Sequence, residues 1–210
     1  ISKYDLAHTE EPVHREAEKL TKLFWLYCLF TFFAAFGLVA YSIIGYHWKA
    51  QAVIPDAGIT ALYSAAMIVD AVVALLIGRL YDRIKERSGN RKAGLFLLPV
   101  IPAVSLAIPF LVLGKALVPA IFGLILYGVV LGGHETIMRS AIADLTAFRK
   151  RGTAYGIFNA IYGLGLLGGS AVMGLLYDHA AVVQICAVTV LAEAAALVVF
   201  FRLSREIHRM

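Results

Sequence analysis

Two apolar runs long enough to cross a bilayer, residues 57–77 and 93–113, flank the stretch GRLYDRIKERSGNRK at 78–92. That stretch carries six basic and two acidic side chains in fifteen positions. A helix of about 20 apolar residues matches the hydrocarbon thickness of a membrane, so a charged segment this short between two such runs is expected to be a loop at one membrane face. The pattern recurs along the chain, with apolar segments at about 23–46, 58–81, 93–113, 117–138, 152–176 and 180–201. Six transmembrane helices are therefore predicted. The 60% apolar content and mean hydropathy of +0.79 exclude an ordinary soluble domain, and 210 residues leave no room for one beside six spans. Pro99, Pro102 and Pro109 are expected to kink or break the third span.

The basic residues set the threading. Seventeen Lys and Arg fall in the N-terminal tail, 79–92, 139–151 and the C-terminal tail, against two, Lys49 and Lys115, on the opposite side. This asymmetry places both termini in the cytoplasm. It also accounts for the net charge of +5 as membrane-face charge, which excludes a nucleic-acid partner. Residues 1–22 read as a cytoplasmic linker ending in a short amphipathic helix, EAEKLTKL, ahead of a bundle at 23–201 and a tail at 202–210. No signal-peptide layout is present, because the first apolar run is too long and lacks a small-residue cleavage site. The first residue is Ile1, so the chain is expected to begin partway through a longer one. Cys28 and Cys186 lie inside apolar runs, far apart, and are expected to be core thiols with no disulfide or metal role.

Several motifs share one origin. Gly78, Asp82, Arg83 and Arg87 give Gly-x-x-x-Asp-Arg at the close of a span, with Lys85 where a second glycine would fall. Gly132-Gly-His-Glu-Thr-Ile-Met-Arg-Ser-Ala-Ile-Ala-Asp144 is followed by Arg151-Gly-Thr-Ala-Tyr-Gly156 and a glycine-rich run to Asp178. Together these resemble the major facilitator superfamily: the loop signature after one helix, then the tenth and eleventh helices. The resemblance covers about 15–205 and implies an all-α integral membrane fold, six transmembrane helices arranged as two inverted three-helix repeats, half of a major facilitator fold. The echo of Gly78-Arg-Leu-Tyr-Asp82 in Gly174-Leu-Leu-Tyr-Asp178 fits such a repeat, the two lying at opposite faces by the threading. The chain would then correspond to helices 7–12 of twelve. Its partner would be an N-terminal six-helix half, or a second copy of itself.

Within the spans, ionisable groups are expensive and draw attention. Asp70 sits near mid-bilayer on a face shared with Tyr63, Met67 and Ala74, as a proton or solute-cation site or as a structural carboxyl bonded between helices. His134 and Glu135 follow Gly128-x-x-x-Gly132, and Glu135 precedes Arg139 by the four residues that favour a helical ion pair. That group is either a site or a self-satisfied anchor. Tyr155, Asn159 and Tyr162 form one polar stripe on the fifth span; Tyr27, Thr31 and Ser42 form another on the first. Either stripe serves as solute contact or as packing. Glu193 is mid-span in the sixth helix, which the resemblance makes peripheral, and is expected to pack against a partner. Gly165, Gly169 and Gly174 suit close approach of another backbone.

The resemblance implies a secondary active transporter, symporter or antiporter, moving a small solute by alternating access with proton coupling, in a prokaryotic cytoplasmic membrane. In it, Gly78, Asp82 and Arg83 would act as a cytoplasmic gate, with Asp82 at the end of its helix meeting a helix N-terminus of the other half. The rival reading is a free-standing six-helix protein acting as a homodimeric carrier or channel. An enzyme is not expected: there is no His-Glu-x-x-His, since Met138 stands where the second histidine would be, and no Gly-x-Ser-x-Gly. No Gly-x-x-x-x-Gly-Lys-(Ser/Thr) is present to cradle phosphate, and no cofactor is expected.

Overall fold

The computed structural model describes residues 20–179 and 181–208. The expected linker helix lies outside the described residues, save for its last four positions. Every regular element described is helical. Six spans are long and apolar enough to cross a membrane. Span 1 comprises α1 (Lys22–Gly37) and α2 (Tyr41–Ala50), and span 2 is α3 (Asp56–Ser88). Span 3 is a 3-10 turn (Ala93–Leu97), α4 (Val100–Ser105) and α5 (Ile108–Val112). Span 4 is α6 (Leu117–Gly133), a π-helical turn (His134–Met138) and α7 (Arg139–Leu145). Spans 5 and 6 are α8 (Arg151–Asp178) and α9 (Val182–His208).

The charged stretch at 78–92 is helical over most of its length, in contrast to the expected loop. Its Arg, Lys, Glu and Leu are good helix formers, and their heads reach water without unwinding the backbone. The helix stops at Gly89, whose φ of 61° gives the left-handed cap that other residues rarely adopt. Only Gly89 to Lys92 make the turn, with the Asn90 side chain accepting from the Lys92 N–H at 2.9 Å. Asp82 therefore lies inside span 2 and does not close it. At the other end of the chain, α9 runs through the expected tail as far as His208.

Proline breaks span 3 as anticipated. Pro109 has no N–H for the Ser105 carbonyl, and α4 gives way to α5 across Leu106 and Ala107. Span 1 is broken as well, at Leu38–Ala40, without a proline. The Gly37 carbonyl takes the Thr189 hydroxyl of span 6 at 2.9 Å in place of a helical N–H. The helix restarts where Ile43 and Ile44 donate to the Ala40 carbonyl.

Side-chain bonds define the two ends of the bundle. At one end the start of span 1 meets the close of span 6 through Lys22–Glu206 at 3.0 Å, and Tyr81 of span 2 donates to Asp144 of span 4 at 2.8 Å. At the other, Trp48 donates to the Val112 carbonyl at 2.8 Å, and His47 joins Tyr177 at 3.0 Å and the Gly114 carbonyl at 3.3 Å. Lys49 and Asp56 pair there in the open at 2.8 Å.

Span 1 packs chiefly on spans 5 and 6, and span 2 on span 4. Both contacts depend on glycine. A Cβ at Gly132 would lie 2.8 Å from the Asp70 carbonyl oxygen, and one at Gly169 would collide with the Phe36 backbone. Span 2 also touches the start of span 3 and α2 of span 1, but Ala66 and Tyr81 are its only residues described as buried. Its outer face shows Ile68, Val72, Leu75 and Leu76, and span 5 likewise shows Leu164, Leu167 and Leu175. Cys28 and Cys186 are free thiols.

Candidate functional site

Span 4 holds the feature that organises the polar residues. A π turn contains one residue more than an α turn and leaves local carbonyls in need of donors. Two tyrosines supply them. The Tyr27 hydroxyl donates to the Met138 carbonyl, and the Tyr155 hydroxyl donates to the Arg139 carbonyl at 3.0 Å. Tyr27 stacks on Phe158 with centroids 6.0 Å apart, and Phe158 stacks on Tyr162 at 5.8 Å. This aromatic column locks the start of span 1 and the lower part of span 5 to the turn.

The turn aims His134 inward. Its Nδ1 lies 3.0 Å from the Tyr162 hydroxyl, while its buried Nε2 has no partner. A cavity of about 60 Å³ opens beside it, lined by His134, Glu135, Arg139, Phe158 and Tyr162. That volume suits a few waters or one polar group of a solute. Glu135 and Arg139 are exposed and form no ion pair among the described residues, so of the two readings the self-satisfied anchor is not the one seen. The π geometry explains this, because its ladder links i to i+5 and carries i+4 off the shared face.

Asp70 enters from span 2. It is half-buried, one of its carboxylate oxygens lacks a partner, and it lies within electrostatic reach of Glu135. Thr136 fastens the two spans just below, donating to the Ala74 carbonyl at 3.3 Å, with Gly78 packed against its methyl. The structure thus gathers Asp70, His134, Glu135, Arg139 and Tyr162 into one polar cluster, held by Tyr27 and Tyr155.

Three sequence candidates fall outside that cluster. Asn159 is exposed and makes no side-chain hydrogen bond, so the span 5 stripe divides. Thr31 is buried, with its hydroxyl beside that of Tyr27. The break in span 1 turns Ser42 away from both, into shallow clefts near Tyr46. Glu193 does not face outward as expected. It is fully buried within this chain, against Gly37 and Ser105.

The structure adds residues that sequence reasoning passed over. Lys85, standing where the loop signature would have glycine, lies 2.8 Å from Asp144, which also takes the Tyr81 hydroxyl. Asp82 and Arg83, beside them, are exposed and make no ion pair among the described residues. The available signal was the acid at position 144, six residues after Met138 on a basic membrane face.

Comparison with known proteins is consistent with this architecture. A family model for the Major Facilitator Superfamily matches residues 23–209. An uncharacterized protein of Mycobacterium tuberculosis (strain H37Rv) and one of Mycobacterium bovis are each 32% identical over 178 residues, covering 85% of this chain and 41% of theirs. A class D tetracycline resistance protein of Salmonella ordonez is 26% identical over 148 residues, covering 70% of this chain and 36% of its own. The chain thus spans about two fifths of the length of the relatives it matches. No solved structure matches.

Proposed function

Because the chain belongs to the Major Facilitator Superfamily, whose members are transporters, we propose that it forms half of a secondary active transporter moving a small solute by alternating access, coupled to protons. The observation that carries the reading is the polar cluster of Asp70, His134, Glu135, Arg139 and Tyr162 inside an otherwise apolar bundle. Ionisable groups at that depth are costly to keep and mark solute or proton paths. Asp70 and Glu135, two acids within reach of each other on different spans, carry the proton in this reading. His134, Arg139 and Tyr162 offer donors to the solute, and Tyr27 and Tyr155 keep them in place. The tetracycline resistance relative supports solute movement as the task.

The partner in this proposal is a second six-helix unit, an N-terminal half or another copy, lying against the apolar outer faces of spans 2 and 5. Asp82 and Arg83, exposed with no ion pair among the described residues, serve as the gate toward that unit at the cytoplasmic end. Span 2 carries both the gate and Asp70, so movement at one is felt at the other.

The test is transport by the full-length protein in proteoliposomes across a solute panel that includes tetracycline, with and without an imposed pH gradient. Asp70→Asn keeps the hydrogen-bonding shape and removes the proton. We expect uptake driven by the pH gradient to be lost in this variant, with normal insertion and retained solute exchange. Wild-type dependence on the pH gradient in Asp70→Asn would overturn the reading.

A further inference from the structure

Glu193 is the most completely buried acid described, with no exposed surface. Its surroundings are unusual. A Cβ on Gly37 would lie 2.8 Å from Glu193 Oε1, so the carboxyl rests directly on the last residue of α1, where span 1 breaks. The polar group beside it is the hydroxyl of Ser105, the last residue of α4, where span 3 breaks. One turn before Glu193 on span 6, Thr189 bonds the Gly37 carbonyl. The carboxyl therefore sits between two interrupted helices.

No countercharge is at hand. Span 1 has no ionisable side chain between Cys28 and Tyr41, and span 3 has none from Ala93 to Val112. Span 5 offers only tyrosines between Arg151 and Asp178. Span 6 itself has only Cys186, two turns before Glu193, and then nothing basic until Arg202. None of the ion pairs described involves Glu193. A lone carboxylate in such a place costs far more than a neutral acid, and a metal ion would need several oxygen ligands where one carboxyl and one hydroxyl are supplied.

We propose that Glu193 is a second proton-binding site, separate from the polar cluster, and that its proton holds spans 1, 3 and 6 together at their breaks. In the arrangement described, the side chain is a carboxylic acid. Release is a simple proton transfer to water, leaving the carboxylate, and it requires Leu38–Ala40 to move off so that water can reach the oxygens. Proton occupancy at Glu193 and the position of the span 1 break are then two readings of one state.

The first test does not involve transport and so stands apart from the proposed function. Full-length protein in lipid, isotope-labelled at the glutamate side-chain carboxyl, is examined by infrared spectroscopy at neutral pH. We expect a protonated-carboxyl band that moves with the label, persists in Asp70→Asn and Glu135→Gln, and vanishes in Glu193→Gln. Absence of any label-sensitive protonated band in the wild type, or its survival in Glu193→Gln, would overturn the proposal. The labelled wild type answers the first point even if Glu193→Gln fails to fold.

The second test follows the break. In a background with Cys28 and Cys186 replaced by alanine, Val39→Cys reports access of a water-soluble maleimide. Labelling should rise several-fold more steeply with pH in the presence of Glu193 than in its glutamine variant, which carries the same thiol. Equal slopes in the two would sever the proton from the movement.

Discussion

Lys85 near the close of span 2 and Asp144 near the close of span 4 form the most buried ion pair described, 2.8 Å apart with side chains 26% and 4% exposed. The Tyr81 hydroxyl completes the carboxylate at 2.8 Å, and the Lys85 ammonium also lies 5.2 Å from the Tyr81 ring centre. The pair joins the most exposed helix of the bundle to its polar centre, so its loss bears on how span 2 docks.

The two partners are not equivalent. Lys85→Met leaves a nearly buried carboxylate with one neutral donor and should cost about 3 kcal/mol. Asp144→Asn leaves an ammonium that reaches water along its own stem and should cost about 1 kcal/mol. Thermal unfolding in one detergent should rank wild type above Asp144→Asn above Lys85→Met, and the reverse order for the variants would contradict the burial argument.

Glu135 and Arg139 do not touch, so exchanging their charges restores nothing. The double variant Glu135→Arg with Arg139→Glu should be about as stable as either single variant, all within about 0.5 kcal/mol of wild type, and inactive in transport. A double variant markedly more stable than both singles would reveal a pair that forms in another conformation.

The tyrosines at the π turn differ in burial. Tyr27→Phe strands the buried Met138 carbonyl and should cost about 1–3 kcal/mol. Tyr155→Phe exposes the Arg139 carbonyl to water and should be close to neutral. Denaturation midpoints of the two variants compare them directly, and equal losses would show that the Arg139 carbonyl is shielded from water as well as the Met138 carbonyl is.

Glycines separate in the same way. At Gly132 an added methyl meets the backbone at 2.8 Å from the Asp70 oxygen and 3.0 Å from the Ala74 nitrogen, so Gly132→Ala should cost about 1–3 kcal/mol. Nothing lies within 4 Å at Gly156, and Gly156→Ala should gain up to about 1 kcal/mol from helix propensity. Measured stabilities with the opposite signs would mean that span 2 packs elsewhere on span 4.

The six spans and the all-helical fold were legible because membrane insertion writes them as length and hydropathy. The proline break in span 3 was legible too, since a missing N–H is a property of one residue. Other features were not, because tertiary contacts decide them. The span 1 break depends on a hydroxyl from Thr189, which is 152 residues away in sequence and carries no mark of that contact. The i,i+4 spacing made Glu135 and Arg139 look like a pair, and the π turn, which has no composition of its own, took away their shared face. Glu193 was expected to pack against a partner because the resemblance makes its helix peripheral, and a helix's place in a fold does not say which neighbour one of its side chains meets. The charged stretch read as a loop because charge marks where water begins, which is not where a helix ends.

A π turn also sets phase. Each residue of an α-helix advances its side chain by about 100°, so one residue added at His134–Met138 rotates everything beyond it by that angle relative to an uninterrupted span. Asp144 is on the rotated side of that dislocation, and its direction toward Lys85 and Tyr81 is inherited from it. Excising a single residue from the turn would straighten span 4, swing the carboxylate about a quarter turn around the axis, and uncouple the closing ends of two helices without altering any residue at the contact.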